Sequence, residues 1–224
     1  MKKLSLLLVM GLLLAGCGSD SSGIPSKFQG NWMAAVFDTE ENLIGGGMFT
    51  VDSQGGIHVN TVGVIASGHV AADGKLTLTG QMPDSTFYGI GTLGDDDTGT
   101  GTWVQKEGAI EVGSGTLMFW RANGGAYAGI WDVVISGAAA GAGSVVIDNN
   151  GVISGSVETS GSPPITTTVF GVVTGSGEVI VAWESSGQLF FGHGPATGVI
   201  SGSTASGGWQ SAGGLAGEWT ATKR

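Results

Sequence analysis

The amino-acid sequence predicts an all-β protein made of two tandem homologous antiparallel meander units, each a small barrel or sandwich of about seven or eight strands. Three observations support this fold class. No segment after the N-terminal apolar run has a helical period. Short β-type runs alternate instead with Gly, Asp-Gly and Asn-Gly turns. The motifs of the first half return in the same order in the second half.

The first 16 residues have the composition of an export signal. Lys2 and Lys3 supply positive charge, and residues 4–15 are almost purely apolar. A run of about a dozen apolar residues is shorter than the roughly 20 that span a bilayer as a helix, but it suits the apolar region of a secretory signal. The sequence therefore predicts that residues 1–16 are a signal peptide.

The segment that follows predicts a lipid anchor. Residues 14–17, Leu-Ala-Gly-Cys, resemble the lipobox of bacterial lipoproteins. This resemblance implies cleavage before Cys17, the chain's only cysteine, and attachment of a diacylglycerol and a further acyl group to it. Several acyl chains hold a protein to a membrane stably. Gly18 stands where an aspartate would signal inner-membrane retention, so the resemblance implies an outer-membrane location, and the Gly/Ser-rich residues 17–26 form a flexible tether.

Composition excludes several functional classes. The chain has 224 residues, a formal net charge of −10 and only 12% charged residues. An acidic surface repels nucleic acid, so a nucleic-acid partner is not expected. Its 44 glycines follow no three-residue period, which excludes collagen. Because lipidation would consume the only cysteine, the fold must form without disulfides.

Two segments show the strand pattern clearly. Residues 75–79 (KLTLT) alternate strictly, with Leu76 and Leu78 on one face. Residues 178–184 (EVIVAWE) place Val179, Val181 and Trp183 on one face. Such alternation predicts strands with one face buried.

The internal repeat consists of six matches whose offsets range from 96 to 106 residues. The matched segments are 30–32 with 129–131, 50–55 with 146–151, 73–78 with 176–181, 87–91 with 190–194, 98–103 with 203–209, and Trp120 with Trp219. They predict one β unit at 27–122 and a second at 126–224. An alternative is that the two units pair as halves of one larger barrel or sandwich.

Each unit opens with a Gly-x-Trp motif, at Trp32 and at Trp131. This motif is similar to the first strand of lipocalin and avidin barrels, a likeness that covers only a few residues per unit. It implies that each tryptophan plugs one barrel end or anchors a core. No other motif of either family is present, so their ligands are not transferred to this chain.

No catalytic, cofactor-binding or metal-binding residues are predicted. His58, His69 and His193 lack ligand spacing and are expected to be structural or surface residues. The glycine pattern at residues 89–94 has no following helix that could bind a phosphate.

Acidic and aromatic residues leave two questions open. Asp95, Asp96 and Asp97 are expected to form a solvated hairpin tip, with cation binding as the alternative. Seven further aromatic side chains could line a pocket or a sugar-binding face, but their recurrence in both units favours a place in the core. These residues are Trp103, Trp120, Trp183, Trp209, Trp219, Phe190 and Phe191.

The sequence as a whole predicts a non-catalytic, outer-membrane-anchored lipoprotein. Its partners are the membrane, through the lipid, and an envelope protein or glycan that it contacts as a binding or structural module. One alternative is a carrier of a small apolar ligand inside a barrel, and a less favoured one is an envelope hydrolase. The sequence identifies neither ligand nor oligomeric state.

Overall fold

The structure, a computed structural model, describes residues 23–59, 65–161, 163–185, 196–210 and 215–224. Cys17 and the signal segment lie outside the described residues. The helical elements of the described part are two short 3₁₀ turns, Ser26–Phe28 and Gly125–Tyr127. No helix within these ranges is long and apolar enough to cross a membrane.

Two closed eight-stranded antiparallel barrels make up the fold, which confirms the predicted fold class. In each barrel every strand pairs with the next along the chain, and the last pairs with the first. Each sheet closes on itself, so the alternative of one larger shared barrel is wrong. The strands of the first barrel are β1 Gly30–Asp38, β2 Leu43–Val51, β3 Gly56–Val59, β4 Ile65–Val70, β5 Lys75–Gln81, β6 Thr86–Leu93, β7 Thr98–Glu107 and β8 Ile110–Arg121.

The second barrel repeats this order with similar strand lengths. Its strands are β9 Gly129–Gly137, β10 Gly141–Ile147, β11 Val152–Thr159, β12 Thr166–Val173, β13 Glu178–Ser185, β14 Ala196–Ser201, β15 Thr204–Gln210 and β16 Ala216–Lys223. We call the end that carries the 3₁₀ turn the lower end of each barrel. Among the described residues, the upper end of the second barrel carries residues 138–140 and 163–165.

Strand pairing shows which residues of the two barrels are equivalent. Trp32 faces Phe49 across the β1–β2 pair, and Trp131 faces Val145 across β9–β10. The pairings of the other elements align four of the six matches as expected, namely those that begin at residues 30, 50, 73 and 98.

Two matches are wrong. Trp32 pairs with Arg121 and Trp131 with Lys223, so Leu117, rather than Trp120, occupies the place of Trp219. Trp120 is one residue out of phase with the interior face and points outward. The segments 87–91 and 190–194 are likewise not equivalent.

A longer connection explains the second error. Gly91 pairs with Gly101, and the equivalent pair is Gly198 with Gly207. The second unit has ten residues between β13 and β14, whereas the first has four between β5 and β6. The segment 190–194 falls in that connection, outside the described residues.

A 3₁₀ turn plugs the lower end of each barrel. The Nε1 of Trp32 donates to the carbonyl of Phe28 at 3.0 Å, and the Nε1 of Trp131 donates to the carbonyl of Tyr127 at 3.1 Å. Both tryptophans are essentially inaccessible, with 0% and 1% exposure. The Gly-x-Trp prediction is therefore confirmed, because each tryptophan anchors a core at a plugged barrel end.

Glycines of the neighbouring turns make room for these plugs. Gly74 and Gly177 have φ angles of +84° and +85°. A Cβ at Gly74 would lie 2.8 Å from Cζ of Phe28, and one at Gly177 would lie 2.7 Å from the hydroxyl of Tyr127. Only glycine combines this backbone conformation with the absence of a side chain.

An apolar interface joins the barrels side by side. Met33 and Trp120 of the first barrel belong to the same buried cluster as Val172 and Ile180 of the second. The backbone N–H of Asn123 donates to the carbonyl of Val173 at 2.9 Å next to this cluster. Outward-facing side chains are therefore buried where the two barrels meet.

Candidate functional site

The second barrel is hollow. Its interior holds a cavity of about 150 Å³ to which all eight strands contribute side chains. The lining is almost entirely apolar, and its polar side-chain groups are the hydroxyls of Thr159 and Thr167 and the indole nitrogens. Among the described residues, no titratable side chain lines the cavity.

The first barrel is filled at the equivalent level by aromatic rings. The rings of Trp32 and Phe49 stack with centroids 6.4 Å apart, and Phe119 meets Phe49 edge-on at 6.0 Å. All three side chains are buried. This cluster occupies the centre of the first barrel.

Smaller residues stand at the matching positions of the second barrel. Val145 replaces Phe49, because each faces the Gly-x-Trp tryptophan across the first strand pair. Ala221 replaces Phe119, since each lies two residues before the basic residue that pairs with that tryptophan. Losing two phenyl rings from one layer leaves the space that forms the cavity.

Trp219 adds bulk at the position of Leu117, but glycines let its ring lie against the barrel wall. Trp219 pairs with Gly207 of β15, which in turn pairs with Gly198 of β14. A Cβ at Gly198 would overlap Cζ2 of Trp219 and lie 2.8 Å from its Cη2. The indole therefore crosses two strands in contact with backbone, and the centre of the barrel stays open.

The indole of Trp209 likewise lies next to a glycine, which is Gly217 of β16. Its Nε1 donates across Gly217 to the carbonyl of Ser136 at 3.0 Å. Trp103 makes the equivalent bond in the first barrel, where its Nε1 donates to the carbonyl of Phe37 at 2.7 Å. The ring of Trp209 also meets Trp183 edge-on, with centroids 6.0 Å apart.

The Nε1 of Trp219 is the exception among these indoles. Trp219 is only 7% exposed, and its Nε1 is buried without a hydrogen-bond partner. It is the one such side-chain nitrogen or oxygen found in the described ranges. A buried unsatisfied donor costs roughly 1–3 kcal/mol, and one on a cavity wall calls for a functional explanation.

Two threonines bring hydroxyl groups to the upper half of the cavity. Thr159 ends β11, and Thr167 lies near the start of β12. The hydroxyl of Thr159 accepts a hydrogen bond from the backbone N–H of Ile165 at 3.0 Å. The lower half, next to Trp131, has only apolar walls apart from indole groups that already have partners.

The two described histidines lie on strands of the first barrel, away from the cavity. His58 is exposed, and its Nε2 is 2.9 Å from a carboxylate oxygen of Asp52. That contact, together with the backbone N–H groups of Gly56 and Gln54, lowers the pKa of Asp52. His69 is also exposed, so the prediction of surface histidines is confirmed for both. His193 lies outside the described residues.

The carboxylates of the acidic cluster diverge to separate partners. Asp95 pairs with Lys27 at 2.6 Å, and Asp96 accepts from the backbone and hydroxyl of Thr98, which lowers the pKa of Asp96. Asp97 accepts instead from Arg121 and Asn123 beside the barrel interface. Within the described ranges, no three His, Cys, Asp or Glu side chains group in a way that could hold a metal ion.

The aromatic candidates divide between three environments. Trp103 lies in the core of the first barrel, and Trp120 lies between the barrels. Trp183, Trp209 and Trp219 line the cavity and belong to, or pack against, the second core. These three tryptophans therefore belong both to the core of the second barrel and to the wall of its cavity. Phe190 and Phe191 lie outside the described residues.

Sequence reasoning gave an interior cavity only as an alternative and did not assign it to the second barrel, although one signal was present. The match of residues 50–55 with 146–151 places Phe49 opposite Val145 in the alignment. The second exchange, Phe119 for Ala221, was hidden because Trp120 was aligned with Trp219. A repeat comparison that used strand parity as well as residue type would have revealed both.

Comparisons with known proteins give only distant likenesses. No protein-family model matches the chain, and no curated protein matches it. Among solved structures, an intact TbpB with N and C lobes has 14% identity over 86% of this chain and 45% of that chain, with a TM-score of 0.30.

Two further solved structures show similar values. A transferrin binding protein B double mutant from Haemophilus parasuis has 14% identity over 86% of this chain and 44% of that chain, with a TM-score of 0.31. A protein of unknown function from the DUF3598 family of Nostoc punctiforme has 10% identity over 88% and 96%, with a TM-score of 0.29. The chain spans less than half the length of the two transferrin-binding-protein chains.

Proposed function

We propose that this chain is a non-catalytic, lipid-anchored envelope protein whose second barrel binds a small, uncharged, largely apolar molecule. The single observation that carries this proposal is the hollow of about 150 Å³ in the second barrel, at the level where aromatic rings fill the first. Two barrels from one duplicated pattern thus differ in whether their centre is occupied.

An unfilled apolar cavity destabilises a protein, because the side chains around it lose packing contacts that a filled core would make. The unfilled space of about 150 Å³ in the second barrel therefore lowers the free energy of unfolding relative to a filled core. A ligand that fills the space regains part of this energy. Dry apolar cavities of about this volume admit benzene or xenon, so a molecule of roughly that size fits.

The lining also selects the charge of the ligand. The cavity walls that the structure describes carry no ionisable group, and burying an unpaired charge against them would be very unfavourable. The ligand is therefore neutral. The first barrel offers no equivalent space at its centre, because Phe49 and Phe119 occupy it.

The lipid anchor determines where in the cell the protein binds its ligand. It consists of the acylated Cys17 and the tether at residues 17–26. In this proposal the acyl chains on Cys17 hold the barrels at the outer membrane, close to a phase into which small apolar molecules partition. The tether keeps the barrels in water, where the cavity shields the ligand. The lipobox at residues 14–17 and Gly18 support this location.

Contact with an envelope protein or glycan is the second candidate function. Its support is the set of exposed apolar side chains on the outer face of β9 and β10, Ile130, Val134 and Val146. Scattered exposed apolar residues are ordinary on soluble proteins, so they weigh less than a cavity.

Filling the cavity tests the proposal. The unacylated chain of residues 17–224 is titrated with toluene, and binding is followed by calorimetry and by the thermal midpoint. At ten times the dissociation constant, toluene should raise the midpoint by about 3–6 °C. Val145→Phe restores the residue of the first barrel and should abolish binding without lowering the unliganded midpoint.

Val146→Phe is the matched control, because Val146 is the next residue of β10 and points outward. This variant should bind toluene as the wild type does. The proposal fails if the wild type shows no saturable binding, or if Val145→Phe and Val146→Phe bind equally well.

A further inference from the structure

We infer that the ligand of the second barrel carries one hydrogen-bond acceptor, a carbonyl, ester or ether oxygen, which bonds to Nε1 of Trp219 while its apolar body points toward Trp131. This inference rests on the proposed function and names the chemical class of the ligand. A pure hydrocarbon would fill the same space and leave the indole donor unsatisfied.

The indoles that line the cavity differ in whether their nitrogen has a hydrogen-bond acceptor. Trp131 and Trp209 also line the cavity, and both donate to backbone carbonyls, of Tyr127 and Ser136. The fold therefore supplies acceptors for indoles whose role is structural. Trp219 has none, although it is 93% buried (7% exposed) and its nitrogen is shielded from water.

The barrel wall limits the directions in which the Trp219 ring can move. Its benzo edge lies against the backbone at Gly198, where even a Cβ would overlap it. Movement toward the wall is blocked, and Trp219 is one of the side chains that line the cavity. Because Nε1 of Trp219 is covered in this structure, the hydrogen bond to the ligand forms as the ring turns inward.

Trp219 and Trp131 lie at different heights along the barrel axis. Trp219 pairs with Ile135 near the end of β9, whereas Trp131 lies near its start. The unsatisfied donor is therefore in the upper half of the cavity, on the same side as Thr159 and Thr167. This polarity orients the ligand, with its acceptor up and its apolar end against the plugged lower end.

A matched ligand pair tests the inference. Toluene and benzaldehyde have similar shape, but only benzaldehyde offers an acceptor. Calorimetry on the unacylated chain of residues 17–224 gives the ratio of their dissociation constants. Replacing Trp219 by Phe removes the donor and keeps an aromatic ring. Because one neutral hydrogen bond corresponds to about a fivefold change in affinity, Trp219→Phe should lower the preference for benzaldehyde by about fivefold.

Trp209→Phe is the comparison variant, because its lost donor serves the fold. It should change both affinities by the same factor and leave their ratio at the wild-type value. If toluene binds and the ratio is the same in wild type and Trp219→Phe, the inference is overturned while the proposed function stands. If neither ligand binds the wild type, the proposed function itself fails.

Discussion

At the residue scale, two side chains in one layer distinguish the barrels. Phe49 and Phe119 fill the centre of the first barrel, and Val145 and Ala221 leave that of the second open. The strand framework around them is the same, so the difference comes from side-chain volume and not from strand number or pairing.

Replacing Phe49 by Val should therefore open a cavity in the first barrel. The ring stacks on Trp32 and meets Phe119, and both contacts would be lost. We expect the free energy of unfolding to fall by about 2–4 kcal/mol, measured by urea denaturation. Tyr88→Val, at an exposed tyrosine of β6, should change it by less than about 0.5 kcal/mol. Equal effects at the two positions would contradict this view of the first core.

At the element scale, glycine pairs determine where large rings lie. Gly198 leaves room for the indole of Trp219, because a Cβ at this position would overlap the ring. Gly217 similarly underlies Trp209. Part of the high glycine content thus follows from indole rings that approach the backbone of neighbouring strands closely.

Gly198→Ala tests this role of glycine. Its Cβ would overlap the Trp219 ring, so we expect a loss of about 1–3 kcal/mol in the free energy of unfolding and a weaker affinity for toluene. Gly208→Ala on β15 is the control, because the nearest atom to its Cβ is 3.8 Å away. That variant should be neutral or slightly more stable. Unfolding measurements in which Gly198→Ala matches Gly208→Ala would show that the ring does not need this space.

The strands themselves were largely predictable from the sequence. Leu76 with Leu78, and Val179 with Val181, face the barrel interiors as their alternation predicted. Ile180 is fully buried as well, although it lies on the opposite face of β13. Alternation could not predict this, because the burial of Ile180 depends on the first barrel packing against it.

At the scale of the whole molecule, a duplicated pattern has produced one filled and one hollow barrel, joined at an apolar interface. The repeat made two units predictable, and turn spacing made about seven or eight strands per unit predictable. The cavity was not predictable from composition, since it depends on which residues share a layer. Knowing which residues share a layer requires the strand register. The match of Trp120 with Trp219 gives the wrong register for the last strand of each barrel.

The most direct test of the central claim is a crystal structure of the unacylated chain of residues 17–224 under xenon pressure. Xenon enters dry apolar cavities and marks them by its electron density. We predict xenon inside the second barrel, among Val145, Val181 and Trp219, and none between Phe49 and Phe119 of the first. A second barrel without xenon, or equal occupancy in both barrels, would contradict the account.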